Sequence, residues 1–173
     1  MTVTVAKSAG YCFGVERAIE LAKSSSPAVT LGPLIHNKDA VEELKGLGVT
    51  SVADVKSLAE GSRVVIRSHG VSLAEYEFLR ERYELIDATC PYVKAIHNMV
   101  RQASEEGKTV IVVGQREHPE VQGIVGWAKN AAVVVGSREE ALKLGPLESA
   151  MAVSQTTMGQ KKYAEVLEVL DSG

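Results

Sequence analysis

Seven side chains carry the chemistry this sequence can do. They are Cys12, Cys90, His36, His69, His118, Glu120 and Thr156. Cys12 and Cys90 are the only two cysteines in the chain. Each opens a short motif, C-F-G-V and C-P-Y-V, that leads into a helical pattern. After each helix comes an apolar strand ending in glycine, Gly32 or Gly114, with a histidine four positions on, His36 or His118. A later strand in each half ends in a polar turn, Ser68-His69-Gly70 or Ser154-Gln155-Thr156. The spacing between equivalent positions is roughly 80 residues, too long for a solenoid repeat and right for a duplicated small domain. A duplication that places a thiol, an imidazole and a polar turn at matching loop ends points to one composite site between the repeats.

A thiol beside a helix N-terminus is favoured as the thiolate, the form that ligates metal or attacks as a nucleophile. The plain alternative is a pair of unrelated buried cysteines acting as small hydrophobes. Their equivalent placement favours ligation or redox chemistry. No CxxC or HxxxH pair is present, so the usual local zinc spacing is absent. Thiolates supplemented by another ligand would suit an iron–sulfur cluster. Imidazoles at strand-end loops, with backbone amides and hydroxyls, suit an anion such as phosphate. Binding is then expected to strengthen as pH falls through the ordinary histidine range, near ~6.5. His97 lies inside the helix after Cys90 and reads as ordinary packing or exposure. Glu120, two residues after His118, reads as a proton donor in a closed pocket or as a helix-dipole carboxylate. Thr156 and Thr157 offer hydroxyls for ligand contact, a proton relay or a helix cap.

These residues need a rigid frame. The chain has 173 residues, 45% of them hydrophobic, enough for a sizeable core. Strands are expected at 2–6, 28–31, 63–67, 84–87, 109–113, 132–135 and 151–154. Helices are expected at 15–23, 38–46, 72–82, 92–106, 120–128, 138–143 and 160–170. Val64-Val65-Ile66 and Val110-Ile111-Val112-Val113 are continuous apolar runs, as buried parallel strands require. Val15, Ala18, Ile19 and Ala22 share one helical face. Ser72 with Glu75 forms a capping box, Pro91 suits a first helical turn, and Gly107 suits a helix stop. The alternation implies an α/β fold: two repeated small three-layer units with parallel sheets, related by pseudo-symmetry. The expected division is an N-terminal strand in 1–12, a first repeat in 13–90 and a second in 91–173.

The net charge is −3, so no basic surface for nucleic acid is indicated. No run of 18 apolar residues and no signal peptide occur, so a membrane span is not expected. The sparse cysteines fit a cytoplasmic protein with reduced thiols. A two-domain module that holds a phosphate or a metal without catalysis remains an alternative, as does a fragment that completes its thiol set by homodimerising.

Taken together the motifs resemble a known family. Gly10-Tyr11-Cys12-Phe13-Gly14-Val15, Ile35-His36-Asn37, Ser68-His69-Gly70-Val71, Asp87-Ala88-Thr89-Cys90-Pro91, Gly114 with His118-Pro119-Glu120-Val121, and Gln155-Thr156-Thr157 occur in order along the chain. This set is similar to the 4-hydroxy-3-methylbut-2-enyl diphosphate reductases, the LytB or IspH family. The resemblance implies the last step of the non-mevalonate isoprenoid route, reductive removal of an allylic hydroxyl to give isopentenyl and dimethylallyl diphosphates. It implies three small α/β domains around an oxygen-sensitive 4Fe–4S cluster, each domain giving one cysteine. By motif, Cys12 and Cys90 would ligate the cluster. His36, His69 and His118 would bind the diphosphate. Glu120 would donate a proton that Thr156 passes or orients, and Thr156 would also contact substrate. Electrons would come from a ferredoxin or flavodoxin. The family's third domain, with its third cysteine and Ser-x-Asn motif, has no counterpart among these residues, and in the family the N-terminal strand pairs with that domain.

Overall fold

The computed structural model describes residues 2–7 and 9–171. Two parallel sheets, each clad by helices on both faces, form the architecture. The first contains β1 (Ala28–Leu31), β2 (Val49–Val52), β3 (Arg63–Ile66) and β4 (Glu84–Asp87) in the order β2-β1-β3-β4. The second contains β5 (Thr109–Val113), β6 (Val133–Val135) and β7 (Ala150–Ser154) in the order β6-β5-β7. Strand β1 therefore corresponds to β5, β2 to β6 and β3 to β7, which is the expected repeat. All pairings are parallel.

Alternation along the strands splits each core in two. Val65 of β3 joins a layer with Ala18, Ile19 and Ala22 of α1 (Phe13–Ser24) and Leu44 of α2 (Lys38–Gly46). Val64 and Ile66 point the other way, toward Leu79 of α3 (Leu73–Arg82). In the second sheet, Val110 and Val112 pack on Val100 of α4 (Pro91–Glu105) and Val121 and Ile124 of α5 (Pro119–Val125). Ile111 and Val113 face Ala141 of α6 (Arg138–Leu142) and Val166 of α7 (Gln160–Asp171). Val64, Val65, Ile111, Val112 and Val113 are fully buried, which is why these strands read as unbroken apolar runs.

The local signals act as expected. Ser72 and Glu75 form the capping box of α3. Pro91 opens α4, and Gly107, at φ +78°, follows its end.

Two expectations fail. Residues 2–6 form no strand; they run exposed, with Val3 81% and Val5 75% accessible. A strand needs a hydrogen-bonding neighbour, and within the described residues this segment has none. Strand β2 was not expected, because its centre, Thr50-Ser51, is polar. It lies at a sheet edge, where those two side chains face solvent. No helix among the described residues is long and apolar enough to cross a membrane.

Candidate active site

Loops at the carboxyl ends of parallel strands carry ligand chemistry in open α/β sheets. Five such loops hold five of the seven candidate residues, and Glu120 lies just beyond one of them, in the first turn of α5. Residues 32–37 follow β1, 67–72 follow β3, 88–90 follow β4, 114–118 follow β5, and 155–157 follow β7. Only Cys12 is not placed by a strand end. It follows the irregular N-terminal segment and not a strand, and it is the N-cap of α1.

Backbone bonds tie these loops together. Ser68 donates through both its amide and its Oγ to the Leu34 carbonyl, joining the His69 turn to the His36 loop. The Cys90 amide donates to the Ser68 carbonyl at 2.9 Å. In the second repeat, Gln155 Oε1 accepts from the Gln115 amide, and Gln155 Nε2 donates to Thr157 Oγ1 at 2.7 Å. Each repeat thus uses a residue of its polar turn, Ser68 or Gln155, to brace the loop that carries its histidine.

The three loop histidines converge. One ring nitrogen from each of His36, His69 and His118 lies within 4.8 Å of the other two. Ring centroids are 4.5 Å apart for His36 and His69, and 5.8 and 5.7 Å for His118 to each. His69 Nδ1 is buried without a hydrogen-bond partner. Burial, then the nearby His36, Arg67 and His118, push its pKa down to about 4. His118 is also lowered, chiefly by burial and against the raising effect of Glu120. Burial, with crowding by neighbouring cationic groups, therefore disfavours charge on His69 and His118, and an anion would relieve this.

Glu120 sits beside the triad. His118 caps α5, its Nδ1 accepting from the Glu120 amide at 3.2 Å. The Glu120 side chain is only 3% exposed. Its Oε1 accepts from the Thr156 amide at 2.6 Å and its Oε2 from Thr156 Oγ1 at 2.8 Å. The expected helix-dipole carboxylate is thus also a buried carboxyl clasped to a hydroxyl. Thr156 serves this clasp and not a helix cap.

The thiols occupy equivalent positions at neighbouring helix starts. Cys90 is the N-cap of α4, as Cys12 is of α1. A Cβ built at Gly14, in the first turn of α1, would fall 2.5 Å from Cys90 Sγ. Only glycine lets the second thiol lie against the helix that the first one opens. Arg17, one turn further along α1, donates to the carbonyls of Thr89 and Asp87, fixing the approach to Cys90. Both cysteines are free; Cys12 is exposed and Cys90 half-buried.

His97 is packed, as expected. It is 2% exposed and stacks on Trp127 at 4.9 Å, with an interplanar angle of 16°. It underlies the His69 turn: a Cβ at Gly70 would lie 2.6 Å from its Cε1. Sequence reasoning missed Arg67 and Trp127. Arg67 adjoins the Ser-His-Gly turn, and that adjacency was the available signal. Trp127 Nε1 donates to the Val71 carbonyl at 2.9 Å, a contact with no sequence signature.

With this geometry established, similarity to known proteins becomes decisive. The family model for LytB protein matches residues 3–173. The chain belongs to the LytB family. The 4-hydroxy-3-methylbut-2-enyl diphosphate reductase of Caldanaerobacter subterraneus subsp. tengcongensis is 43% identical over an alignment of 181 residues, gaps included, that covers 99% of this chain and 63% of that protein. The Geobacter sulfurreducens reductase of the same name is 43% identical over an alignment of 173 residues, gaps included, that covers 97% of this chain and 61% of that protein. A solved (E)-4-hydroxy-3-methyl-but-2-enyl diphosphate reductase, described as the terminal enzyme of the non-mevalonate pathway, matches with TM-score 0.80 and 41% identity over 96% of this chain and 63% of its own. The Plasmodium falciparum reductase structure matches with TM-score 0.89 at 27% identity, over 96% of this chain and 55% of its own. The LytB chain described here thus spans under two thirds of these relatives.

Proposed function

We propose that this chain is the substrate- and thiolate-bearing part of a 4-hydroxy-3-methylbut-2-enyl diphosphate reductase, working in reductive dehydroxylation at the end of the non-mevalonate isoprenoid route. The convergence of His36, His69 and His118, two residues from a buried Glu120–Thr156 pair, is the observation that carries this reading. The diphosphate lies among the three imidazoles. Protonating His69 or His118 on binding replaces the crowding of the free site with ion pairs.

The acid–base part belongs to Glu120 and Thr156. The reaction removes a hydroxyl as water and adds two electrons and two protons. A protonated Glu120 hands a proton to Thr156 Oγ1, which gives its own to the departing hydroxyl. The short Thr156 Oγ1–Glu120 Oε2 contact supports this relay.

Cys12 and Cys90 would hold a 4Fe–4S cluster, whose third thiolate comes from sequence outside this chain. Their placement at adjoining helix starts, with Gly14 leaving room for Cys90 Sγ, fits such a group. When bound, the cluster supplies electrons drawn from a ferredoxin or flavodoxin. A cytoplasmic location suits its oxygen sensitivity. In this reading, the N-terminal segment in 1–12 packs with the family's third domain, and 13–90 and 91–173 are the two repeats.

A metal among the three histidines is the competing reading. Arg67 opposes it, because its permanent charge acts on His69 and His118. The test is iron and sulfide content after anaerobic reconstitution. Cys12→Ser and Cys90→Ser should each lower iron retention relative to the unsubstituted chain. Equal retention in all three would reject ligation by these thiols.

A further inference from the structure

Arg67 carries a permanent charge and, among the described residues, no carboxylate within salt-bridge distance. It follows β3 directly and is half-buried. Its Nε donates to the Gly70 carbonyl at 3.3 Å, within the same turn that carries His69. Its guanidinium reaches back to the β1 loop, where a Cβ at Gly32 would lie 2.9 Å from Nη1. Gly32 has φ +66°, a left-handed conformation that favours glycine, so this space is kept open. The guanidinium thus bridges the turns leading to His36 and His69.

Among the described residues, Arg67 forms no ion pair; Glu75 acts on it only from a distance. Burying a guanidinium away from water is costly unless an anion answers it. Here the immediate neighbours make matters worse. The charge of Arg67 disfavours protonation of both His69 and His118. A cation whose charge acts on His69 and His118 is badly matched in the free chain and well matched around a polyvalent anion. The planar fork of arginine also suits two phosphate oxygens at once.

We propose that Arg67 is a fourth binding group of the anion site, supplying the permanent positive charge to the diphosphate that His36, His69 and His118 receive. This rests on the diphosphate reading of the three histidines. It adds a contact that persists at any pH, where the imidazoles contribute charge only once protonated.

The test is calorimetric titration of the chain with inorganic diphosphate in metal-free buffer, at two salt concentrations. Arg67→Met should weaken binding by about 10- to 100-fold, the range for losing a charge-assisted hydrogen bond. It should also flatten the salt dependence and, by NMR, raise the pKa of His69. Arg67→Lys keeps the charge and loses the fork and the Gly70 contact. It should bind diphosphate more tightly than the Met variant and leave His69 depressed. A merely structural arginine predicts the two variants to be equally impaired, which would overturn the proposal. So would equal binding by Arg67→Met and the unsubstituted chain, with the diphosphate reading left standing. Absence of diphosphate binding by the unsubstituted chain would overturn both.

Discussion

Replacing His97 by phenylalanine should remove a specific acid sensitivity of the fold. The imidazole is 2% exposed, its Nε2 has no hydrogen-bond partner, and burial pushes its pKa down to about 4. Asp87 raises it and Lys94 lowers it, both less than burial does. In the unfolded chain an ordinary histidine titrates near ~6.5. As pH falls, the unfolded state therefore takes up this proton first. The fold loses stability from about pH 6.5 downward, and the loss is complete near pH 4. Above pH 6.5 the residue contributes no pH dependence. At about 1.4 kcal/mol per pH unit, the full loss is about 3 kcal/mol. Phenylalanine keeps the stack on Trp127 and cannot protonate. Its extra bulk is expected to cost about 1–2 kcal/mol at pH 7. Urea denaturation followed by fluorescence suits the purpose, since Trp127 is the only tryptophan and touches this ring. Between pH 7 and pH 4 the unsubstituted chain should lose about 2–3 kcal/mol more than His97→Phe. His69 and the carboxylates are common to both proteins, so they drop out of the difference. Parallel stability curves would refute the reasoning.

Three further outcomes follow from the site. In a protein of full family length, Glu120→Gln should lower turnover by about 10²–10⁴-fold while substrate still binds, because the amide cannot deliver a proton; rates close to those of the unsubstituted enzyme would assign the proton to another group. Gly14→Ala should lower iron uptake after anaerobic reconstitution with the helical circular dichroism retained, since the new methyl occupies the place of Cys90 Sγ; an unchanged iron-to-chain ratio would contradict the packing. Sulfate, a dianion throughout the range, should bind more tightly as pH falls from 6.5 toward 4, because the free-chain pKa of His69 lies at about 4 and an anion raises it; affinity that levels off near pH 6.5 would mean His69 stays neutral in the complex.

The sequence revealed more of the site than of its edges. Val64-Val65-Ile66 and the run from Val110 to Val113 are buried on both faces, so their apolar composition announced them. Ser72, Pro91 and Gly107 marked their helix ends by local chemistry alone. Strand β2 escaped because an edge strand with polar Thr50 and Ser51 has no distinguishing pattern. Residues 2–6 misled because alternation shows a capacity to pair, while pairing needs a neighbour. His36, His69 and His118 were found through the repeat, which predicts common placement at strand ends. The burial of Glu120 and its clasp by Thr156 join the start of α5 to a loop 36 residues away, so no local window contains them. Arg67 and the His97–Trp127 stack are likewise tertiary facts.

The central claim is that His36, His69 and His118 form one diphosphate site. Histidine-selective 15N NMR during titration with inorganic diphosphate tests it most directly. The resonances of these three imidazoles should move together along one binding curve, while His97, sealed beneath the Gly70 turn, stays nearly still. Saturating diphosphate that leaves the three unchanged, or moves His97 instead, would contradict the account.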